Sequence, residues 1–163
     1  MTTSTQIVIL AGTLLCSLVG GFLFAFAVVV MPGLGRLPDR AFIRGFQTID
    51  GVIQSGQPLF GLVWLGSVVA LVAALVLGVG ELQGADLALL VAAGAVYLLG
   101  VQLPTFIRNV PLNNQLQAFD AEGSDDAACR AARERFEPPW NRWNRWRTGL
   151  AILSTAMLLV VMS

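Results

Sequence analysis

Three groups of residues in this chain have side chains suited to chemistry. Gln47, Asp50, Gln54 and Gln57 recur at i, i+3, i+7 and i+10, so a helix would carry them along one face. Gln102, Thr105, Arg108, Asn109, Asn113 and Asn114 form a second group. Arg142, Asn144 and Arg147, interleaved with Trp140, Trp143 and Trp146, form a third. Brought together, they would supply one base (Asp50), several cations, amide donors and flat apolar walls. That mixture fits a planar aromatic or quinone-like molecule partitioning from lipid. Each residue also has a plainer role. Asp50 could serve as the ion-pair partner of Arg108 or Arg147. Asn113 and Asn114 could satisfy the loop backbone after Pro111. The tryptophans could form an interfacial belt, and Trp143 with Arg147, four residues apart, could stack without any ligand. Tyr97 reads as a packed ring with a satisfied hydroxyl.

The composition removes several function classes. Of the 163 residues, 56% are hydrophobic and 12% charged, against roughly 25% charged in a soluble domain. There is no His, so imidazole-based haem, iron, copper or zinc sites and Ser-His or Cys-His nucleophiles are not available. Cys16 and Cys129 are the two cysteines and have no CxxC spacing, so they read as a small core residue and a loop residue. We expect no metal site and no cofactor. Net charge is zero, which argues against a nucleic-acid partner.

The elements that would position these residues are membrane spans. A helix needs about 20 apolar residues to cross the hydrocarbon layer. Four stretches approach this: 6–31, ended by Met31-Pro32-Gly33; 58–79, with Pro58 in its first turn; 86–107, opened by Asp86; and 147–162, extended backward by the tryptophans. The run from Ile7 to Val30 is too long for a signal-peptide core and lacks a basic start, so it reads as a retained span. Arg36, Arg40 and Arg44 fall in the loop 32–57, where they read as topology determinants contacting lipid head groups. Every other Arg falls between 108 and 147. By the positive-inside rule both long loops face the cytoplasm and both termini face outward, which puts all three polar groups on the inner side.

The expected fold is therefore all-α: a single four-span bundle over 1–163, with an accessory helix in each long loop. In the first loop Phe42, Phe46, Ile49 and Ile53 recur at helical spacing, which predicts an amphipathic helix at or re-entering the inner interface. In the third, Ser124-Asp125-Asp126 caps a soluble helix over 127–136, which Pro138-Pro139 ends. Small residues such as Ser17 and Gly21 allow close packing within the bundle, or between copies in a homo-oligomer. There is no internal repeat and no charge in mid-span, so a transporter is the weakest reading.

Four motifs together resemble a known family. They are Met31-Pro32-Gly33-Leu34 with Leu37-Pro38; Phe46-Gln47-Thr48-Ile49-Asp50; Asn109-Val110-Pro111-Leu112-Asn113-Asn114-Gln115-Leu116; and Trp143-Asn144-Arg145-Trp146-Arg147-Thr148. In this order they resemble the anthrone oxygenase-like family of small four-span membrane proteins. The resemblance covers nearly the whole chain. It implies a membrane four-helix bundle and, as in the fungal members, oxidation of a polyketide anthrone to an anthraquinone by dioxygen; for many bacterial members the substrate is unknown. The chain departs from the family at Asp50, where Asn is frequent, and at Arg145, where many members have His.

Taken with the resemblance and the absence of His, the residues allow a site in which Asp50 is the candidate base, Arg108 and Arg147 would stabilise the substrate anion, and Asn113 and Asn114 would donate to its oxygen. Gln47, Gln54, Trp143, Asn144 and Trp146 would bind the substrate. Deprotonating an anthrone gives a delocalised anion that itself reduces dioxygen, so the protein need supply only a base, anion stabilisation and exclusion of water. The competing reading is a non-catalytic membrane protein that binds lipid or a hydrophobic small molecule, or acts as a partner subunit.

Overall fold

A computed structural model describes residues 1–163. The fold is all-helical. Five helices follow one another: α1 (Thr3–Leu34), α2 (Asp39–Gln54), α3 (Pro58–Glu81), α4 (Gly84–Gln117) and α5 (Asp126–Val161). Of these, α1, α3 and α4 are long and apolar enough to cross a membrane. The stretch 147–162 is not a helix of its own but the C-terminal part of α5.

Three proline effects separate the structure from the expectation. Pro32 does not end α1, which runs on to Leu34. Instead a π-turn at Phe26–Val30 precedes it, and further π-turns at Leu98–Gln102 and Thr105–Asn109 precede Pro104 and Pro111. Each proline lacks the N–H that the carbonyl four residues earlier requires. Those carbonyls belong to Val28, Gly100 and Ile107, each inside its π-turn. Across each π-turn the ladder steps back five residues instead of four, with the amides of Met31, Leu103 and Val110 donating to the carbonyls of Phe26, Leu98 and Thr105. Nor do Pro138 and Pro139 stop the last helix; α5 continues through both. Their orphaned carbonyls lie on Glu134 and Arg135, which are exposed, while Phe136 and Trp140 hold the helix on its buried side. The separate soluble helix over 127–136 is therefore the first third of α5. Its cap is as expected: the Asp125 carboxylate accepts from the Ala128 amide at 2.7 Å.

The core has two storeys. In the bundle, α1 packs on α3 and α5, and α4 packs on α5, around Cys16, Leu71, Leu90, Tyr97, Ala151 and Leu158. The Leu150 side chain of α5 packs over Gly100 of α4, where a Cβ would lie 2.4 Å from the Leu150 Cδ1. The second storey joins α2, the end of α4 and the start of α5 around Phe42, Ile43, Phe46, Leu116, Cys129 and Phe136. Cys129 is thus a buried helical residue, not a loop residue. The bundle's outer face is apolar, with Leu62 66% and Val76 69% exposed.

Polar ties fix the second storey. Arg133 donates to the carbonyls of Gly35 (2.9 Å) and Leu37 (3.0 Å) and pairs with Asp39 and Glu137. Its guanidinium also covers the Phe42 ring at 4.5 Å. Arg40 binds the carbonyls of Ala121 and Ser124 and the Asp126 carboxylate, and Arg44 pairs with Glu122. These two arginines, expected to face head groups, instead clamp the loop between α4 and α5. Charge-assisted bonds of the Arg133 kind contribute about 1.5–3 kcal/mol each when largely buried. Arg133→Ala is expected to cost about 2 kcal/mol, measured as a lower thermal midpoint together with faster proteolysis across residues 32–57.

Candidate active site

Between the two storeys lies a cavity of about 200 Å³, where the π-turns of α1 and α4 face α2 and α5. Phe22 and Phe26 of α1, Phe46 of α2, Phe60 and Trp64 of α3, Phe106 of α4 and Trp140 of α5 line it. Adjacent rings interlock, with Phe22 against Phe60 at 5.3 Å and Phe26 against Trp140 at 5.6 Å between centroids. The volume is below the roughly 300–1,000 Å³ of drug-sized pockets, so a small flat ring system suits it better than an extended chain. Two ionisable groups reach this aromatic space, Asp50 and Arg147.

Asp50 is 4% exposed and has no cation beside it. Its Oδ1 accepts from Asn113 Nδ2 at 2.8 Å, and its Oδ2 from Gln54 Nε2 at 2.7 Å and Gln117 Nε2 at 3.2 Å. The expected ion pair with Arg108 or Arg147 is therefore replaced by amides. Burial raises the Asp50 carboxyl above the ordinary carboxylate range, and the Gln117, Gln54 and Asn113 donors offset part of that rise. Asn113 is not spent on loop backbone: its Oδ1 accepts from Trp140 Nε1 at 2.7 Å. One hydrogen-bonded line thus runs Gln54–Asp50–Asn113–Trp140 through α2, α4 and α5.

Arg147 is 3% exposed and also lacks a counter-ion. It donates to Thr105 Oγ1 at 2.8 Å and to Asn144 Oδ1 at 3.0 Å, and its Nε has no partner. Asn144, wholly buried, is fixed in turn by donating to the Leu23 carbonyl at 3.0 Å. Asn109 also lines the cavity and leaves its Oδ1 unpaired. A buried cation with a free N–H and no acid is costly unless something anionic or strongly polar meets it.

The remaining expected site residues lie apart from this space. Arg108 is exposed and stacks on Trp143, 5.5 Å from the ring centroid, which also replaces the expected Trp143–Arg147 stack. Trp146 is 57% exposed. Gln47 donates to the Leu116 and Phe119 carbonyls and so braces α2 on the end of α4. Asn114 accepts from Gln54 at 3.3 Å, outside the cavity lining. Sequence reading missed the aromatic walls from α1, α3 and α4. The available signal was their position: Phe22, Phe26 and Phe106 fall in the C-terminal halves of α1 and α4, and Phe60 and Trp64 in the first two turns of α3, which runs antiparallel to α1. No grouping of three or more Cys, Asp and Glu is placed to hold a metal ion.

Residues 51–157 match the family model described as anthrone oxygenase. The chain belongs to the anthrone oxygenase family. Its family-matched stretch starts directly after Asp50 and takes in Asn113, Trp140 and Arg147, whereas the α1 contribution to the cavity precedes it. No curated protein and no solved structure matches the chain.

Two stability predictions follow from the buried charges of this anthrone oxygenase family member. Arg147→Met, similar in volume, is expected to leave the thermal midpoint unchanged or higher, because it removes an uncompensated buried charge. The Asp50 carboxyl titrates higher folded than unfolded, so the folded state holds the extra proton between those two values. Stability should fall as pH rises through that window in the wild type and stay flat in Asp50→Asn, which paired urea titrations at several pH values would measure.

Proposed function

We propose that the chain is a membrane-embedded oxygenase-like protein that acts on a planar aromatic substrate of the anthrone or polyketide type. The C-terminal part of α5 supplies a fourth crossing. Its exposed Ile152, Leu153, Leu159 and Val160 support this, since they continue the apolar surface of the other three spans. On this reading the termini lie outside, the Arg-rich segments lie in the cytoplasm, and α2 sits at the inner interface. Substrate comes from the bilayer, and Phe106, which is 61% exposed yet lines the cavity, marks its lipid-facing side.

The observation that carries the activity is the pairing of a buried carboxylate and a buried, counter-ion-free guanidinium across one aromatic cavity. Asp50 removes a proton from the acidic ring carbon. Its raised pKa moves it closer to the operating range of a general base. The negative charge spreads over the rings onto the substrate oxygen, where the free Arg147 N–H stabilises it. The anion then reduces dioxygen. One oxygen atom becomes the new carbonyl, and the other leaves as water with the two hydrogens of the original CH₂. The chain's own residues thus hold the ring, take the proton, bind the anion and exclude water.

One observation favours a second reading, a protein that binds such a molecule without converting it. Both Asp50 oxygens are already engaged by amides, which suits a structural carboxylate better than a free base.

Purified protein given emodin anthrone and oxygen, with and without a chelator, separates the readings. Asp50→Asn should lower kcat by about 100-fold or more, Arg147→Met should abolish turnover with binding weakened, and Arg108→Ala should remain near wild type. Turnover should rise with pH through the elevated Asp50 value, because only the carboxylate is a base. Tight binding without oxygen uptake would establish the second reading.

A further inference from the structure

A second feature lies on a neighbouring flank of α5. Arg36 and Arg145 line a cavity of about 400 Å³ beside the end of α1, and neither pairs with a carboxylate. Two other polar groups share that space. Glu137 is held by Arg133 at 2.6 Å, and Asn141 contributes a side-chain amide while its main-chain carbonyl accepts weakly from Arg145 at 3.4 Å. Further along the same two helices a second cavity, about 420 Å³, lies over Gly21, Phe24, Ile152 and Leu159 and is almost wholly apolar.

The two cavities lie on one track. On α1 the lining positions 17, 20, 21, 24, 27 and 31 advance by three or four residues or fewer, and on α5 positions 141, 145, 152, 155, 156 and 159 keep the same face. Between them Gly149 is exposed, and a Cβ there would meet nothing within 4 Å. From Arg145 to Leu159 the helix rises about 21 Å, more than the ~15 Å half-thickness of the hydrocarbon layer. A long apolar trough therefore ends in two unneutralised guanidiniums.

We propose that this α1–α5 groove binds an anionic phospholipid, with its phosphate between Arg36 and Arg145 and one acyl chain along Gly21, Phe24 and Ile152. Charge decides the occupant. A second copy docked here about a two-fold axis along the bilayer normal would bring Arg36 and Arg145 toward their own counterparts, and like charges repel. A phosphate satisfies both guanidiniums bidentately, and a zwitterionic lipid offers them a competing cation. The site is separate from the aromatic cavity. It rests on the membrane reading but not on catalysis.

The test is native mass spectrometry of the full chain in mild detergent, titrated with matched dipalmitoyl phosphatidylglycerol and phosphatidylcholine. The wild type should retain phosphatidylglycerol selectively. Arg36→Gln with Arg145→Gln should lose that selectivity by about tenfold or more, while Arg142→Gln should keep it. Gly21→Leu, whose Cβ meets nothing within 4 Å, should fold normally and weaken dipalmitoyl but not dihexanoyl phosphatidylglycerol. Equal retention of the two head groups, displacement by millimolar inorganic phosphate, or a lipid-free dimer that Gly21→Leu splits would each overturn the proposal. So would unchanged binding in both the arginine and glycine variants. Anthrone turnover, measured in parallel, is expected to be unaffected by Gly21→Leu, so failure of the lipid site leaves the catalytic reading separately testable.

Discussion

A carboxylate taken out of water with no cation beside it has to be neutralised by hydrogen bonds, and Asp50 meets that requirement with amides from two helices. Gln54 sits one turn away on α2, while Asn113 and Gln117 reach across from α4. The clasp therefore presses α2 onto the end of α4, and Asn113 passes the connection to Trp140 on α5. Phe46 and Trp140 pack edge to face at 5.6 Å beside it, which keeps water from competing for the carboxylate. The cavity is the space this amphipathic helix closes over.

The second charge obeys the same rule less completely. Arg147 is buried with two of its nitrogens satisfied and Nε left over. A protein selected for stability alone has better residues for that position, since a buried unpaired charge is a net cost. The cost is concentrated where the π-turns already widen α1 and α4, and irregular turns of this kind recur at functional sites. Proline chemistry, charge burial and aromatic walls meet in one place because each demands local irregularity that a uniform span would not accommodate.

Outside that zone the helices meet ordinary demands. Apolar side chains cover the outer face, small residues set the interhelical spacing, and ion pairs clamp the polar end. Six of the ten arginines divide into two kinds. Arg40, Arg44 and Arg133 are spent on holding loops and helix ends, whereas Arg36, Arg145 and Arg147 have no acidic partner and are available to a ligand or a phosphate.

Hydrophobic periodicity and length were enough to specify an all-helical chain with apolar spans, and the helical spacing of Phe42, Phe46, Ile49 and Ile53 marked α2, although the side it buries carries Phe42, Ile43, Phe46 and Asp50 and leaves Ile49 exposed. These are local properties, readable because a helix repeats every 3.6 residues whatever surrounds it. The motifs around Asp50, Asn113 and Arg147 were also legible, and so was the family. Partner choice was not. Whether Asp50 meets an arginine or an amide, whether Arg108 enters the cavity or stacks outside on Trp143, and whether Pro138-Pro139 breaks α5 all depend on rotation and depth of packing between helices distant in sequence. A turn of a helix by one residue, about 100°, moves a side chain from cavity to surface, and that angle is set only when the whole bundle closes.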